Sequence, residues 1–344
     1  MKIAIHNRKN SFSERWIDYC IRNNIDHKIV NAFDTDLIEQ ICDCDVFMWH
    51  HHHNDFKDVL TAKRILFALE QSGIKVFPNF HTGWHFDDKV AQKYLLEAIG
   101  APLVPSYVFY KKKDAINWVE KTSFPKVFKL KGGAGSANVK LVKNKKNAIK
   151  LINVAFGKGF EQFDRLGNLK ERVRLFKEGK GSLSNVLKGV GRAFITTNFS
   201  RMQGVENGYV YFQDFVPDLD SDIRLQIIGD HIFGLKRFVR RGDFRASGSG
   251  NFIEFSPNNI DVELLKIAID VNKKIKSQCL TIDFIYNGLT PQIVELSYGF
   301  PVSFYDNCSG YWDLELRWHD GKFNPQEWML EKLLSESTCT NLKL

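Results

Sequence analysis

The sequence predicts an α/β protein that opens with a parallel sheet, and three features support this. The first 80 residues alternate short apolar runs with amphipathic segments at helical spacing, which is typical of βαβ units. Later apolar segments are longer, and two of them flank Asn287–Gly288, a dipeptide that favours a hairpin turn. Hydrophobic residues make up 44% and charged residues 26% of the 344, which excludes a disordered chain. Since a domain usually has about 100–200 residues, we expect more than one unit.

The N-terminal elements follow from apolar periodicity and from capping residues. Asp87 or Asp88 is suited to cap a helix that ends at Gly100, and Gly73 is suited to end an earlier one. The predicted strands are 2–5, 27–30, 45–49 and 74–79, and the predicted helices are 11–24, 35–42, 57–73 and 87–100.

The remaining elements include a glycine-rich loop between two strands and an aromatic C-terminal part. Residues 143–192 have a largely helical pattern interrupted by glycines. The predicted strands are 102–110, 124–130, 139–142, 209–216, 221–229, 231–240, 279–286 and 291–297, and the predicted helices are 114–122 and 261–276.

The net charge of +8 is concentrated in one segment. Residues 140–192 hold 14 Lys and Arg against four acidic residues, which leaves 34 basic and 36 acidic residues elsewhere. Such a segment attracts an anionic partner; the alternative is a solvated helical face. No apolar run reaches the ~18–20 residues of a membrane span, and the N-terminus does not have the pattern of a secretory signal. We therefore expect a cytoplasmic protein with reduced cysteines.

The glycine-rich run KGGAGSANV follows Lys129 and separates two predicted strands. Glycines allow the backbone to approach a polyphosphate closely, although such a loop can equally be a simple turn. The chain has no G-x-x-x-x-G-K-[ST] motif and no G-x-G-x-x-G after its first strand. The sequence therefore contains no P-loop motif and does not favour a dinucleotide site.

Two carboxylates stand in apolar strands on either side of the predicted hairpin turn. Asp283 lies in TIDFIYN and Glu295 in QIVELS. Carboxylates that face each other repel unless a cation lies between them, and Mg²⁺ is usually held by one or two carboxylates with phosphate oxygens. The alternative is one solvent-facing acid on each strand.

Several cations interrupt the predicted strands. Lys129 within the apolar VFKL is the most informative, because lysine is rarely buried without a partner. Arginine forks match carboxylate and phosphate geometry. The set is Lys89, Lys129, Arg224, Lys236, Arg237, Arg240, Arg241 and Arg245.

The order of these features resembles the ATP-grasp ligase superfamily, with the pattern of glutathione synthetases and ribosomal-protein glutamate ligases. The resemblance covers about residues 85–300 and rests on FPKVFKLKGGAGSANVKLV, YFQDFVPDLDSDIRLQIIGDHIFGLKR, GDFRASGSGN and DFIYNGLTPQIVELSYG. It implies an N-terminal Rossmann-like pre-ATP-grasp domain and an ATP-grasp fold whose two α+β subdomains grip ATP. The implied parts are 1–84 (pre-ATP-grasp domain), 85–120 (linker), 121–215 (lid subdomain with the basic insertion 143–192) and 216–344 (C-terminal subdomain).

The resemblance also implies a role for each motif residue. Lys89 and Lys129 correspond to lysines that contact nucleotide phosphate, and Asp222 corresponds to an acid near the ribose. The implied flap over the phosphates is Gly132, Gly133, Gly135 and Ser136, and the implied adenine-side segment is Gln213, Asp214, Phe215 and Val216.

Arg245 corresponds to an arginine that steadies the transferred phosphate, and Arg237 and Arg224 are expected to assist it. Asp283 and Glu295 correspond to the family's Mg²⁺ ligands. The family usually has Asn two residues after this Glu, whereas this chain has Ser297. Since Ser is a shorter and weaker oxygen donor, the resemblance leaves the number of bound metal ions open.

The implied activity is an ATP- and Mg²⁺-dependent ligation of a carboxylate to an amine through an acyl phosphate. Phosphoryl transfer depends mainly on positioning and on charge stabilisation, which this residue set supplies. Its partners would be small-molecule acid and amine substrates, with an anionic acceptor such as an acidic sugar of surface-polysaccharide synthesis, and a homo-oligomer is compatible with the family. The alternatives are a phosphotransferase or a non-ligating ATP-binding module with the same fold, and a nucleic-acid binder, for which no motif is found.

His50–His53 resembles a metal-binding run but stands far in sequence from the carboxylates. We expect a loop that faces a cleft between domains. A role in substrate binding is the alternative, because open α/β sheets bind ligands at the carboxyl ends of their strands. The aromatic residues from Tyr298 onward are expected to be core; a stacking platform for a sugar is the alternative.

Overall fold

The computed structural model describes residues 1–132, 138–161, 204–239 and 253–335, with Val173 and Phe176. The chain divides into a larger unit, residues 1–104 with 216–344, and a smaller unit, residues 105–215. Some of the predicted site positions lie outside the described residues: Gly133, Gly135, Ser136, Arg245 and most of 143–192.

The first sheet of the larger unit is built from the N-terminal residues. Its elements are β1 (Ile3–His6), α1 (Phe12–Arg22), β2 (His27–Val30), α2 (Leu37–Gln40), β3 (Val46–Met48), α3 (Phe56–Gln71), β4 (Lys75–Phe77) and α4 (Phe80–Gly83). The sheet is parallel throughout, with the strand order β2-β1-β3-β4. The predicted parallel sheet is therefore confirmed.

The second sheet of the larger unit has seven strands, and every pairing in it is antiparallel. Six strands follow the order β15-β14-β11-β12-β16-β17, and β13 pairs with β12. The elements are α5 (Lys89–Ala98), β11 (Ser221–Ile228), β12 (His231–Phe238), β13 (Ile253–Glu254), α8 (Val262–Ile275), β14 (Cys279–Asn287), β15 (Thr290–Ser297), β16 (Gly310–Trp312), β17 (Trp318–Asp320) and α9 (Pro325–Ser335).

The central strands of this sheet alternate between two environments, because successive side chains of a strand point to opposite faces. Ile223 and Leu225 lie in the apolar core formed with α8. On the other face, Ile228 belongs to a second core that also includes residues of β1, α1 and α9. Farther along β11 that same face carries Asp222 and Arg224, so it changes from apolar to charged.

The smaller unit contains an antiparallel sheet with the strand order β5-β10-β6-β7 and a two-stranded pair, β8-β9. Phe128, Phe212, Val119 and Ile152 form the centre of its core, between the larger sheet and two helices. Its elements are β5 (Ser106–Phe109), α6 (Lys112–Lys121), β6 (Lys126–Lys129), β7 (Val139–Val142), α7 (Lys145–Ala155), β8 (Phe160–Glu161), β9 (Val205–Glu206) and β10 (Val210–Asp214).

The strand predicted at 102–110 is divided between the two units. The backbone of Pro102 and Val104 bonds to Ile293 on β15 in the larger unit, whereas Ser106–Phe109 pairs with β10 in the smaller unit. Pro105 separates the two segments and has no N–H to continue a ladder. Among the described helices, none is both long and apolar enough to cross a membrane.

Candidate functional site

Five predicted site residues lie side by side on one face of the second sheet. In the strand register, Glu295 on β15 stands opposite Asp283 on β14, and Asp283 stands opposite Arg224 on β11. Asp222, two residues before Arg224, stands opposite Arg237 on β12. The register thus brings positions spread over more than 70 residues of sequence into one row of charged side chains, in which the neighbouring acids Glu295 and Asp283 are followed by Arg224.

Two arginines neutralise the buried acids of this row. Arg224 donates from Nε to Oδ1 of Asp283 over 2.6 Å and from Nη2 to Oδ2 over 2.7 Å. Arg237 donates to both oxygens of Asp222, at 2.8 Å for Nε to Oδ1, and also lies 3.1 Å from Oδ2 of Asp283. Asp283 and Asp222 are each only 2% exposed. The four side chains therefore form one charge-balanced network.

The arginines set the protonation state of Asp283. Burial alone would raise the pKa of this carboxyl, but the guanidinium groups of Arg224 and Arg237 outweigh burial and hold the pKa well below its usual range. Asp283 is therefore ionised at neutral pH. Removing one partner of such a network leaves a buried charge uncompensated, which typically costs about 3–5 kcal/mol.

Glu295 has a different partner, Lys89, whose Nζ lies 3.1 Å from Oε1. Lys89 is the first residue of α5, and the N-cap of this helix is Asp88. Asp88 is one of the two capping residues that the sequence predicted. Gln92 on α5 fixes this helix against β15, because its amide donates to the Leu296 carbonyl over 2.8 Å and accepts from the Leu296 N–H over 3.0 Å. The sequence analysis missed Gln92, which carries no chemical signature.

The predicted metal ligands are brought together only in part. Glu295 is 28% exposed at its side chain, and carboxylate oxygens are suited to Mg²⁺. Both oxygens of Asp283 already accept from Arg224, and the hydroxyl of Ser297 bonds locally to Gly299. Among the described residues, no three His, Cys, Asp or Glu side chains are grouped as a metal site. The donor set therefore fits a cation at Glu295, whereas Asp283 would have to share its oxygens with Arg224.

In the smaller unit, Lys129 is buried at the end of β6, and its ammonium donates to Oε1 of Gln213 over 2.6 Å. The Gln213 amide in turn donates to the Ser106 hydroxyl over 3.0 Å, and the Tyr211 hydroxyl donates to the same oxygen over 2.9 Å. These contacts hold Gln213 in one orientation. Lys129 and Gln213, two predicted site residues that are far apart in sequence, are thus neighbours on one face of the sheet.

Lys126 is a further buried cation that the sequence analysis did not single out. Its ammonium lies 2.6 Å from Oδ1 of Asp214 and over the rings of Tyr107 and Trp118, 5.5 and 5.8 Å from their centroids. Only 5% of Lys126 is exposed. Its position in the apolar KVFKL run, like that of Lys129, is the signal that identifies it. The predicted adenine-side residue Asp214 therefore has its carboxylate paired.

The remaining predicted nucleotide residues are described within their own units. Phe215 is half-buried and ends the smaller unit, whereas Val216 begins the second part of the larger unit and packs against Val104 and Ile285. Gly132 is half-buried at the end of the described part of the glycine-rich run. The roles predicted for these residues remain predictions.

His50–His53 follow β3 in the larger unit, after the intervening Trp49. His50 is buried, stacks on Phe12 with ring centroids 3.6 Å apart, and accepts from the Phe12 N–H through Nδ1 over 3.2 Å. Burial lowers the pKa of His51 to about 3 and of His53 to about 4, so both rings are neutral at pH 7. In the aromatic C-terminal part, Tyr298, Tyr305 and Trp312 are buried, as expected of core residues.

Comparisons with known proteins agree with this architecture. Residues 193–300 match the family described as RimK-like ATP-grasp domain. D-alanine–D-alanine ligase from Bacillus anthracis complexed with ATP has a TM-score of 0.56 at 14% identity, with 97% of each chain covered. The RimK domain ATP-grasp protein from Sphaerobacter thermophilus has a TM-score of 0.52 at 14% identity, with 86% of this chain and 90% of that chain covered.

A third similar structure is the biotin carboxylase domain dimer of Hydrogenobacter thermophilus 2-oxoglutarate carboxylase, which contains MgADP and bicarbonate. Its TM-score is 0.56 at 13% identity, with 97% of this chain and 70% of that chain covered. No curated protein sequence matches this chain.

The chain has the ATP-grasp fold, with a Rossmann-like parallel sheet ahead of it in sequence. More narrowly, the chain contains a RimK-like ATP-grasp domain over residues 193–300. This range includes Asp222, Arg224, Arg237, Asp283 and Glu295. The resemblance predicted from the motifs is therefore confirmed at the level of the superfamily.

Proposed function

We propose that this protein is an ATP- and Mg²⁺-dependent ligase that joins a carboxylate to an amine, forming an amide and releasing ADP and phosphate. The single observation that carries the proposal is the row Glu295, Asp283, Arg224, Asp222 and Arg237, with Lys89 held against Glu295. It combines carboxylates for a metal with fixed cations for phosphate oxygens.

The similar proteins support the ATP- and Mg²⁺-dependent ligase part of the proposal. One of them is a D-alanine–D-alanine ligase complexed with ATP, and another contains MgADP. The family match is to a RimK-like ATP-grasp domain. Because the identities are 13–14%, the activity assigned to this chain rests on its own residues.

The chemistry explains why such a set is needed. A carboxylate does not acylate an amine at neutral pH, because oxide is a poor leaving group. Transfer of the γ-phosphate to the carboxylate gives an acyl phosphate, from which the amine displaces phosphate. Fixed positive charges stabilise the transferred group without reorganisation. We assign this role to Arg224 and Arg237 in the larger unit, with Arg245 as a further predicted member, and phosphate binding to Lys89 and Lys129.

We assign Mg²⁺ primarily to Glu295, with Asp283 and Ser297 as the other predicted ligands. When bound, the ion would neutralise phosphate charge and orient the phosphates. Lys89, within 3.1 Å of Glu295, keeps the carboxylate in place and supplies a second positive charge. The Arg224 and Arg237 forks hold Asp283 ionised, which is the protonation state a metal ligand requires.

The test is a coupled ADP assay with ATP, Mg²⁺ and a matrix of small acids and amines, including acidic sugars as acceptors. We expect ADP release that requires one particular acid together with one particular amine, and a product whose mass shows loss of water. ADP release that never depends on such a pair would contradict the proposal. A phosphorylated acceptor without amide formation would instead identify the phosphotransferase alternative.

A matched pair of variants controls for contaminating ATPases. Glu295→Gln should strongly reduce, without abolishing, the acid- and amine-dependent ADP release, because it removes the exposed carboxylate of the row. Glu263→Gln, an exposed change on α8, should leave it unchanged.

The finer features of the proposal come from the sequence. We propose an anionic acceptor, an acidic sugar of polysaccharide synthesis being one class, because of the basic segment 140–192. We propose the cytoplasm as the location and small molecules rather than nucleic acid as partners. Self-association is compatible with the proposal, since one similar structure is a domain dimer.

A further inference from the structure

A second row of polar side chains lies beside the charged row that carries the proposed function. In the strand register, Ser297 on β15 stands opposite Thr281 on β14, and Thr281 stands opposite Gln226 on β11. Each of these three residues is two positions along its strand from a member of the charged row. Because alternate residues of a strand share a face, this neutral row of Ser297, Thr281 and Gln226 lies on the same face as the charged row.

The inner members of the neutral row bond to the protein itself. The Thr281 hydroxyl donates to Oε1 of Gln226 over 2.7 Å, and the Gln226 amide donates to the Tyr305 hydroxyl over 3.0 Å. Gln226 is 0% exposed and Thr281 is 1% exposed. Buried polar groups are nearly always paired in this way. Since both side chains are uncharged, buried and already bonded, neither is suited to hold a cation that enters with a nucleotide.

The outer member, Ser297, uses its hydroxyl to close a turn. Its Oγ accepts from the Gly299 N–H over 3.1 Å and donates to the Gly299 carbonyl over 3.2 Å. Tyr298, between the two residues, is buried, and its hydroxyl donates to the His51 carbonyl over 2.8 Å. A cation at the Ser297 oxygen would have to displace the Gly299 N–H or lie beside its positive hydrogen, and a neutral hydroxyl offers no charge in return.

Glu295 has one of its two carboxylate oxygens occupied by a fixed ammonium group. Oε1 lies 3.1 Å from Nζ of Lys89, a residue that is only 6% exposed. The helix that carries Lys89 is tied to β15, because the Gln92 amide bonds to both the carbonyl and the N–H of Leu296. A second cation that shared Glu295 with the first would therefore meet the like charge of Lys89.

Asp283 has no free oxygen for a second ion. Both of its oxygens accept from Arg224, at 2.6 and 2.7 Å, and Oδ2 also lies 3.1 Å from Arg237. The three acids of the charged row are balanced by its two arginines and Lys89. One Mg²⁺ fits such a row, because this ion usually needs only one or two carboxylates besides phosphate oxygens. A second ion would need a further anionic ligand, which the described part of the row does not offer.

We propose that the nucleotide-bound site holds a single divalent cation, at Glu295, and that the ammonium of Lys89 takes the place of a second ion. Ser297, a metal ligand by the resemblance, is then a residue that closes the 297–299 turn and does not bind the metal. The inference rests on the proposed function, because the cation enters with the ATP that the ligase consumes.

The experiment counts Mn²⁺, used in place of Mg²⁺, on the full chain in the presence of excess β,γ-methylene-ATP, which is not hydrolysed. Ultrafiltration separates retained from free ions, and electron paramagnetic resonance of the retained fraction distinguishes an isolated ion from a coupled pair. We expect retention to saturate at one Mn²⁺ per chain with the spectrum of an isolated ion. Two retained ions, a coupled-pair spectrum or the absence of nucleotide-dependent retention would overturn the proposal.

Variants identify the residue that holds the ion. Glu295→Gln should weaken Mn²⁺ retention by at least about tenfold, because it removes the charged oxygen. Ser297→Ala should keep one Mn²⁺ with a Kd within about twofold of the wild-type value, because no metal ligand is lost. Glu263→Gln, an exposed change on α8, is the matched control for Glu295→Gln and should have no effect.

A loss of Mn²⁺ affinity in Ser297→Ala as large as that in Glu295→Gln would make Ser297 a ligand and contradict the proposal. If Ser297→Ala fails to fold, Ser297→Cys replaces it with the same expected result. The thiol can still bond to the turn, but it is a soft ligand that does not suit a hard cation.

The count of Mn²⁺ uses neither the acid nor the amine, so it is independent of the ligase assay. One Mn²⁺ per chain without any acid- and amine-dependent ADP release would leave the metal site and remove the proposed function. Ligase activity in a protein that retains two Mn²⁺ would do the reverse.

Discussion

Arg224 and Asp283, 59 residues apart in sequence, form a two-point ion pair across neighbouring strands, with nitrogen–oxygen distances of 2.6 and 2.7 Å. Arg237 reaches the same carboxylate at 3.1 Å. The acid that the motif predicts as a metal ligand is therefore also the counter-ion of two arginines. This dual role means that the electrostatics of the site and the stability of the sheet are linked.

Asp283→Asn should destabilise the protein by about 3–5 kcal/mol, because two buried guanidinium groups would lose their shared counter-ion. Urea unfolding at pH 7 measures the change. Asp270→Asn, which removes an exposed partner of Lys274 on α8, is the matched control and should change stability by less than about 1 kcal/mol. Equal effects of the two variants would show that the network does not stabilise the fold.

The difference in the free energy of unfolding between wild type and Asp283→Asn should depend on pH in a defined direction. The folded-state pKa of Asp283 lies below its usual value of about 3.9, so the stabilisation is fully present above that value. It is lost as the pH falls through the lower folded-state pKa. The stability difference between wild type and Asp283→Asn should thus stay constant from pH 8 to about 5 and shrink only in more acidic solution. A decrease of this stability difference already between pH 7 and 6 would contradict the conclusion that Asp283 is ionised at neutral pH.

Lys129→Met should raise the KM for ATP by about tenfold or more, because a charged hydrogen bond to phosphate contributes about 1.5–3 kcal/mol. The substitution also removes the donor to Gln213, so unfolding measurements must accompany the kinetics. Lys121→Met, at the exposed end of α6, is the control. An unchanged KM would exclude Lys129 from the nucleotide site.

Glu295→Gln should raise the Mg²⁺ concentration for half-maximal activity by at least about tenfold, because a neutral amide is a weaker ligand for a hard cation. A Mg²⁺ titration of residual ADP release, or Mn²⁺ binding in the presence of ADP, measures the effect. An identical metal dependence in the variant would place the ion elsewhere.

Charge reversal in the basic segment tests the anionic acceptor. Arg172→Glu with Arg174→Glu should raise the KM for the acceptor and leave the KM for ATP unchanged, because the acceptor then meets negative charge. The double variant Lys266→Glu with Lys273→Glu, on the exposed face of α8, makes the same charge change elsewhere. A rise in the KM for ATP would assign the segment to the nucleotide site.

The local part of this protein is readable from its sequence. The alternation of strands and helices before residue 80 predicts the parallel sheet, and Asn287–Gly288 predicts the β14–β15 hairpin that the structure contains. The apolar setting of Lys129, Asp283 and Glu295 marks these residues as unusual. Each of these signals depends on neighbours within a few positions of the sequence, and so it can be recognised without knowledge of the fold.

The tertiary structure determines which ion-pair and hydrogen-bond partner each site residue has. The sequence analysis placed a cation between Asp283 and Glu295, whereas the structure gives each carboxylate its own basic partner, Arg224 and Lys89. Gln92 went unnoticed because its role depends on the backbone of Leu296, and the partner of Lys126, Asp214, is equally invisible in the local pattern. The strand predicted at 102–110 belongs to two units, which no local pattern reveals.

The sequence by itself determined which residues are out of place in apolar strands and in what order they follow one another. Only the tertiary structure decided which residues meet: strand order and register bring Arg224 beside Asp283, and the parallel pairing of β1 with β3 brings Ser11 beside His50. The physical reason is that ion pairs and hydrogen bonds act over a few ångströms in space. Such distances are set by long-range packing rather than by separation along the chain.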